Sequence, residues 1–408
     1  MTDAPPGTAL LFARDAVRGR DVLLCLSHLR WDFVFQRPQH LLTRAARSRD
    51  VLFFEEPVFA PDIAPRLETR VTPEGVTIAV PHLPAGLDPD GVAETQRRLL
   101  DGLLAPFHGR RLIAWFYTPM ALEFAAHLRP AVTVYDCMDE LSLFRGAPPR
   151  LVEHERDLLE RADLVFTGGR SLYEAKRDRH PRAFCFPSSI DAAHFRAARQ
   201  QQPDPEDQAA IPAPRIGFFG VVDERMDMEL LGALAEARPD WSFVMIGPVV
   251  KIDPATLPRL PNIHWLGGRT YAALPSYLAG WTLGFMPFAR NESTRFISPT
   301  KTPEFLAAGL PLVSTPITDV VRDWGEAGLV EIAEDPPAFA RALETLLHRP
   351  REAWLQQVDA ALAGRSWDRT WAAMDALIVG TLNRERPALV ARSSDRRVAA
   401  ATQLRGAR

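Results

Sequence analysis

The sequence predicts an α/β protein of two similar halves, each a parallel sheet covered by helices, with a cleft between them. Short apolar runs alternate with longer helical patterns from end to end. One polar, proline-rich stretch divides the chain near its middle. No run is long and apolar enough to span a bilayer. Strand-helix alternation implies parallel sheets with both faces covered. At 408 residues the chain has room for two or three domains.

In the first half the strand candidates are 22–26, 51–54, 112–116, 132–135 and 164–167, with helices predicted over 39–48, 91–104, 120–128 and 151–161. The second series reads 215–219, 241–246, 263–266, 283–287, 311–314 and 329–332, with helices starting near 228, 271, 303 and 336. Residues 196–214 hold Gln-Gln-Gln-Pro-Asp-Pro-Glu-Asp-Gln and Pro-Ala-Pro with no apolar period, which predicts a linker. The expected organisation is an extension over 1–20, a Rossmann-like domain over 21–195, that linker, and a second Rossmann-like domain over 215–365. A helix over 366–383 and a disordered basic tail over 384–408 follow. Ligands of such sheets sit beyond the carboxyl ends of the strands, so functional residues are expected in the loops just after them.

Charge and cysteine content remove several classes. The formal net charge is -3, which gives no basic surplus for nucleic acid. Cys25, Cys137 and Cys185 are far apart in apolar runs, so neither a disulfide scaffold nor a zinc module is expected. The start of the chain lacks a basic patch followed by an apolar stretch, and a cytoplasmic protein is expected. Lys occurs only at 176, 251 and 301 against 45 Arg, so each Lys is singled out.

The richest constellation is Ser298-Pro299-Thr300-Lys301-Thr302-Pro303-Glu304, running into an apolar helix that Gly309 closes. Thr302 is expected as N-cap and Pro303 as the first helical residue. The positive helix end and the Lys301 charge suit a phosphate, and the Glu304 carboxylate suits two ribose hydroxyls. After the 215–219 strand, Gly220 permits close approach of the backbone and Arg225 can fork onto a diphosphate. In the first half His28, Trp31, Tyr117, Thr118, Asp136 and Asp139 follow strands. His28 is a candidate to orient or deprotonate an acceptor hydroxyl, and Asp136 and Asp139 to bind acceptor hydroxyls. The ten His are isolated, so no metal is expected. Asp88-Pro89-Asp90 reads as a turn, and G-x-S-x-G, the P-loop and G-x-G-x-x-G are absent.

Together these pieces resemble the GT-B glycosyltransferases, in particular the retaining group that uses nucleotide-sugar donors. The resemblance spans residues 21–383. It rests on Asn262 to Gly268, Leu274 to Ala279, Leu283 to Phe288 and the Glu304 helix. Gln36-Arg37-Pro38-Gln39-His40 is similar to envelope and exopolysaccharide transferases. The resemblance implies sugar transfer from a nucleoside diphosphate to an acceptor hydroxyl, without cofactor or metal. Glu304 would hold the donor ribose, and Lys301 and Arg225 would lie at the diphosphate. It also implies a saccharide or lipid-linked acceptor, and contact of the Arg44, Arg47 and Arg49 helix with the inner membrane face. The chain departs from the family at Phe296, where many members carry a sugar-contacting Glu; Arg295 and Ser298 are the candidates for that role. A GT-B-fold epimerase and a non-catalytic GT-B subunit share the architecture and are the alternatives.

Overall fold

The computed structural model describes residues 19–384. The predicted extension up to residue 18 and the basic tail from residue 385 lie outside the described residues.

The first domain is built on a nine-stranded sheet. Its strands are β1 (Val22–Leu26), β2 (Asp50–Phe54), β3 (Val58–Ala60), β4 (Arg66–Val71), β5 (Val76–Pro84), β6 (Leu112–Phe116), β7 (Val132–Cys137), β8 (Leu164–Thr167) and β9 (Ala183–Cys185). The order is β3-β5-β2-β1-β6-β7-β8-β9, and only β4, on β5, is antiparallel. β1 is apolar at every position, as a parallel strand buried on both faces should be. Alternate residues go to opposite cores: Leu23 and Cys25 join Phe53 and Trp115, whereas Leu24 joins Leu52 and Phe54. Helices α1 (Arg37–Ala45), α2 (Pro89–Leu104), α3 (Leu122–Ala125), α4 (Leu151–Arg161) and α5 (Arg170–Lys176) cover the faces. The helix expected over 120–128 is instead a 3₁₀ turn, Pro119–Ala121, followed by the single turn α3. β3 to β5 were not predicted; β4 is almost wholly exposed and has no apolar face to announce it.

The second domain has six parallel strands: β10 (Arg215–Phe219), β11 (Ser242–Ile246), β12 (Ile263–Gly267), β13 (Leu283–Met286), β14 (Leu312–Ser314) and β15 (Glu331–Ile332). Their order is β12-β11-β10-β13-β14-β15. In each domain the winding reverses at the central strand: β1 lies between β2 and β6, and β10 between β11 and β13. Loops on either side of such a switch point diverge and leave a crevice.

The stretch expected as a polar linker, 196–214, is packed structure. Helix α6 (Ala192–Arg196) precedes it and α7 (Glu206–Ala209) lies within it. Arg199 donates to the Ala307 carbonyl at 2.7 Å, and Gln208 accepts from the Trp281 indole at 2.7 Å and donates to the Tyr277 carbonyl. Ile190 and Phe195 already belong to the second core, so the chain leaves the first domain soon after β9. Polar composition suggested a tether because the partners that hold Arg196, Arg199 and Gln208 are distant in sequence.

After helices α8 (Met228–Ala237), α9 (Leu274–Ala279), α10 (Lys301–Ala308), α11 (Thr318–Val320), α12 (Pro336–Leu347) and α13 (Arg351–Leu362), the last helix, α14 (Trp367–Arg384), returns to the first domain as expected. Its Trp367, Trp371, Met374 and Ile378 fall at helical spacing and enter the first core. Arg44 reaches Asp368 at 2.9 and 3.1 Å, Arg47 reaches the same carboxylate, and Arg49 reaches Asp375 at 2.5 Å. The basic face of α1, expected to meet a membrane, is therefore turned onto α14, and its apolar residues are buried. Among the described residues no helix is long and apolar enough to cross a membrane.

Met374 is wholly buried in the first core although the second domain precedes it in the chain. Met374→Ala should destabilise by about 2–5 kcal/mol, the usual cost of such a truncation. The loss should fall on the unfolding of the first domain, followed by Trp115 and Trp371 fluorescence. An unchanged denaturation midpoint would show that α14 is not part of that core.

Candidate active site in the interdomain cleft

The cleft lies between the loops after β1 and β7 on one side and those after β10 and β13 on the other. A cavity of about 870 Å³ there is lined by Gln36, Asp139, Gly220, Arg225, Ser298 and Lys301, among others. Both domains contribute to it.

The second domain supplies a floor of bare backbone. Gly220 ends β10 with φ +141°, and Gly247 ends β11 with φ +150°, both outside the range of ordinary residues. A Cβ on Gly247 would lie 1.7 Å from the Gly220 carbonyl oxygen. A Cβ on Gly220 would lie 2.7 Å from Lys301 Cε, so the Lys301 stem is laid across that glycine. The sequence singled out Gly220 but missed Gly247, although Ile246-Gly247-Pro248 closing a strand was the available signal.

Helix α10 begins two residues earlier than expected. Thr300 is the N-cap, Lys301 opens the helix, and Pro303 is its third residue. Thr302 is no donor contact: it is fully buried, and its hydroxyl faces Met286 Sδ at 3.7 Å. Gly309 closes the helix at φ +79°, as expected. Lys301 Nζ donates to Thr300 Oγ1 at 3.2 Å and lies 5.7 Å from the Phe219 ring centroid. Burial lowers the Lys301 pKa; Glu304 opposes this and Arg225 adds to it. Glu304 lines a smaller adjoining cavity with Gly220, Gly247, Pro248, Phe35 and Tyr271. Burial pushes its carboxyl up to about 7, with Lys301 pulling the other way. Glu304 Oε2 is buried and has no hydrogen-bond partner among the described residues. A buried acceptor in that state is open to a donor from water or a ligand.

Arg225 lies at the cleft, but its fork is partly occupied. Nε and Nη2 hold Asp223 at 2.9 and 2.7 Å, and its guanidinium lies 5.5 Å from the Phe144 ring centroid. Ser298 lines the cleft and packs where a side chain on Gly169 would stand. Arg295 does not belong to the site: its side chain is 64% exposed, pairs with Glu292 and covers Phe296. Phe296, at the position where a Glu was missing, packs against the core of the first domain.

On the first-domain side the expected residues divide. His28 and Asp139 line a cavity of about 1300 Å³ that continues the cleft, together with Thr118, Phe144, Arg225 and Lys251. Burial lowers the His28 pKa to about 4, with Lys251 adding to the shift and a backbone hydrogen bond at Tyr117 opposing it. The imidazole is therefore neutral at pH 7, and its buried Nδ1 has no partner among the described residues. Burial raises the Asp139 pKa; Arg225 opposes and Asp223 adds. Thr118 also caps the following turn, accepting from the Met120 N–H at 3.3 Å.

Three expected cleft residues are scaffold instead. Asp136 is 0% exposed and takes Arg37 Nε and Nη2 at 3.0 and 2.8 Å, which occupies both oxygens. Tyr117 is buried against that pair. Trp31 packs on Phe53 with ring centroids 5.1 Å apart, and its N–H donates to Glu55. Position after a strand selected these residues, but the strands' own ends required filling first. Asp88 is the N-cap of α2, accepting from the Gly91 N–H at 2.8 Å. Among the described residues no group of three or more His, Cys, Asp or Glu is arranged to hold a metal ion.

Two facing α/β domains, a cleft at both switch points and a last helix returning to the first domain define the GT-B fold. Solved structures agree. The TM-score is 0.64 to sucrose-phosphate synthase from Thermosynechococcus elongatus, at 14% identity over 91% of this chain and 100% of that one. It is 0.62 to the trehalose-6-phosphate protein from E. coli bound with UDP-2-fluoro glucose, at 14% identity over 89% and 99%. Residues 213–349, which carry β10 to β15 and the Glu304 helix, match the family described as "Glycosyl transferases group 1" and form a glycosyltransferase group 1 domain. A curated relative, "Putative teichuronic acid biosynthesis glycosyltransferase TuaH" of Bacillus subtilis (strain 168), is 26% identical over 234 residues, 53% of this chain. The match spans 59% of that relative's length.

The Glu304 pKa has a direct consequence for stability. Its folded value, about 7, exceeds the unfolded carboxylate value of 4.5. The folded state therefore holds the proton more tightly, and stability falls as pH rises from 4.5 to 7. A shift of that size is worth about 3 kcal/mol. Glu304→Gln should remove this loss. Its stability advantage over the native chain should grow across pH 5 to 7.5 and level off above. Parallel curves in chemical denaturation would show that the carboxyl is not desolvated.

Proposed function

We propose that this protein transfers a sugar from a nucleoside-diphosphate sugar to an acceptor hydroxyl in the synthesis of a cell-envelope or extracellular polysaccharide, with retention of configuration. The observation that carries it is the buried, unpartnered Glu304 carboxyl beside Lys301 on a floor of two glycines. That arrangement suits a ribose held by the carboxylate, with the diphosphate beyond it toward Lys301 and Arg225. The group 1 match over 213–349 supports the transferase chemistry, and the UDP sugar in the E. coli neighbour supports a uridine donor. The name of the Bacillus subtilis relative supports the envelope role.

In this mechanism the leaving diphosphate gains charge, and fixed cations at that spot lower the barrier. Lys301 and Arg225 provide them from the chain itself, so turnover should persist in EDTA. Neutral His28 is placed to accept a hydrogen bond from the transferred sugar or the acceptor. The acceptor, a saccharide either free or lipid-linked, lies against the first domain. The apolar wall of Phe33, Met120, Met138, Leu141 and Phe144 supports an acceptor with an apolar part.

Substitutions at two residues test the reading. Glu304→Ala should weaken nucleoside diphosphate binding by about 1.5–3 kcal/mol, the range for hydrogen bonds to charged groups. Lys301→Arg should fold but lose most turnover, because Lys301 Cε already fills the space over Gly220 and a planar guanidinium does not fit there. Lys301→Met should lose more. Calorimetry with UDP, GDP, ADP and dTDP, followed by release of diphosphate from the matching donor sugar, measures both effects. Native turnover in Lys301→Met would remove Lys301 from the site, and unchanged affinity in Glu304→Ala would remove the ribose assignment.

A further inference from the structure

The helix α5, Arg170–Lys176, begins without a cap of its own. Its N-cap residue is Gly169, which has no side chain to accept the free amides of the first turn. The acceptor comes from the other domain. Asp319, on α11 after β14, takes the Arg170 N–H on Oδ2 at 2.8 Å and the Ser171 N–H on Oδ1 at 2.9 Å. The carboxylate is 1% exposed. A Cβ on Gly169 would stand 2.5 Å from Asp319 Oδ2 and 2.7 Å from Ser298 Cβ, so glycine is what allows the approach. A Cβ on Gly168 would stand 2.5 Å from the Met138 carbonyl oxygen. The turn is thus held between a cleft loop of its own domain and two residues of the opposite one. Around it, Arg322 pairs with Glu174 at 2.8 Å, an exposed contact.

The other end of α5 is as firmly tied. Lys176, its last residue, is 2% exposed and holds Glu140 Oε2 at 2.5 Å and Glu155 Oε1 at 2.6 Å. Glu155 is shared with Arg179 at 2.8 Å and with the Tyr135 hydroxyl at 3.0 Å. Glu140 takes the Ser142 hydroxyl on its other oxygen at 2.9 Å. Glu140 directly follows Asp139, which lines the cleft beside Arg225. The two ends of one short helix therefore join a contact made across the domain boundary to the loop that carries Asp139.

We propose that Asp319 is a positioning residue: by capping α5 across the domain boundary it holds, through Lys176 and Glu140, the 139–143 loop in place for transfer. The proposal rests on the transferase reading. It goes beyond it by making the shape of the acceptor-side loop depend on domain closure. When the domains part, Asp319 leaves, the first turn of α5 loses its cap, and the loop loses one anchor of its strut. Donor binding alone, made by the second domain, does not need the contact.

Hydrogen–deuterium exchange of the full chain tests this without reference to activity. In Asp319→Ala the amides of 170–171 should exchange at least tenfold faster, and so should those of 139–143. UDP affinity should stay within twofold of native. Turnover of the donor sugar should fall at least tenfold at unchanged KM for the donor. Faster exchange confined to 170–172 would overturn the proposal and leave Asp319 as a local cap, as would native turnover with a loosened loop. If Asp319→Ala does not fold, Asp319→Asn keeps one acceptor oxygen and should show the same pattern at smaller amplitude; native protection at 139–143 beside faster exchange at 170–171 would then overturn it. A native chain that binds no nucleoside diphosphate would sink the transferase reading, and the exchange pattern would still decide the coupling.

Discussion

Arg37 and Asp136 are 99 residues apart and meet as a buried two-point ion pair, with Arg37 Nη1 left to donate to the Phe186 carbonyl at 2.8 Å. Three segments are fixed by that guanidinium: the loop after β1, the end of β7, and the chain as it leaves β9 for the second domain. Taking two charges out of water is costly, and only geometry this complete offsets it; removing one partner leaves an unpaired buried charge, at about 3–5 kcal/mol. The surroundings are tuned by the same pair. Burial raises the Cys25 pKa and that of Tyr117, and the Asp136 charge adds to both. Gln39 continues the work one turn on, donating to the Trp31 and Val34 carbonyls at 2.6 and 3.0 Å. His40 stacks on Trp367 with ring centroids 4.6 Å apart, which ties α1 to the returning helix.

The second domain meets the cleft by the opposite means. Where the first domain fills its strand ends with paired charges, the second removes side chains. Gly220 and Gly247 expose backbone, and above them stand Lys301, half-buried and bonded only to Thr300, and Glu304, buried with one oxygen unpartnered. Burial disfavours the charged form of each, lowering the pKa of one and raising that of the other. Such an arrangement costs stability in the empty protein and suits the ligand proposed above, which brings hydroxyls and phosphate oxygens. Places where local rules are broken without an internal remedy are where binding sites are found.

This difference explains what could be read from the sequence. Parallel strands buried on both faces write themselves as continuous apolar runs, so β1, β6, β8 and β10 were legible to the residue. The exposed β4 has too little apolar content for such a signal. The strand expected over 329–332 forms as the two-residue β15 at the end of that run. In the second domain the candidate residues that meet at the cleft were largely legible because their elements are local: strand, glycine, loop, then a helix start carrying Lys301 and Glu304. In the first domain Asp136 and Asp139 look alike, as acids three residues apart after one strand. What separates them is Arg37, and nothing in the spacing of a single sequence joins position 37 to position 136. The same holds for Gln208 and Trp281, whose hydrogen bond turns an apparent tether into part of the core. Arg295 failed for the reverse reason: it is near the site in sequence but points to solvent beside Phe296.

Apart from the Asp319 cap on α5, the contacts across the cleft are of a softer kind than those within each half. Phe35 stacks on Tyr271 with centroids 4.5 Å apart, and Phe144 lies beneath Arg225 and Lys251 at 5.5 and 5.2 Å. Aromatic stacking and cation–π contacts are each worth about 0.5–2 kcal/mol and tolerate sliding. Ion pairs buried within a domain tolerate none. Each half is thus stiff, and outside the Asp319 cap the seam between them is the softer part. A reaction that must admit a donor, exclude water and release a diphosphate needs that division, since domain closure serves catalysis only if the closing surfaces part again at modest cost. Phe144 is central to the seam because its ring faces both Arg225, on the donor side, and Lys251, whose charge reaches His28 and Asp139. On the proposed reading, a diphosphate that drew Arg225 toward itself would change what holds Phe144, and with it the wall of the cavity that His28 lines. Donor and acceptor would in this way be linked through one aromatic ring, at two cavities that also share Asp139 and Arg225.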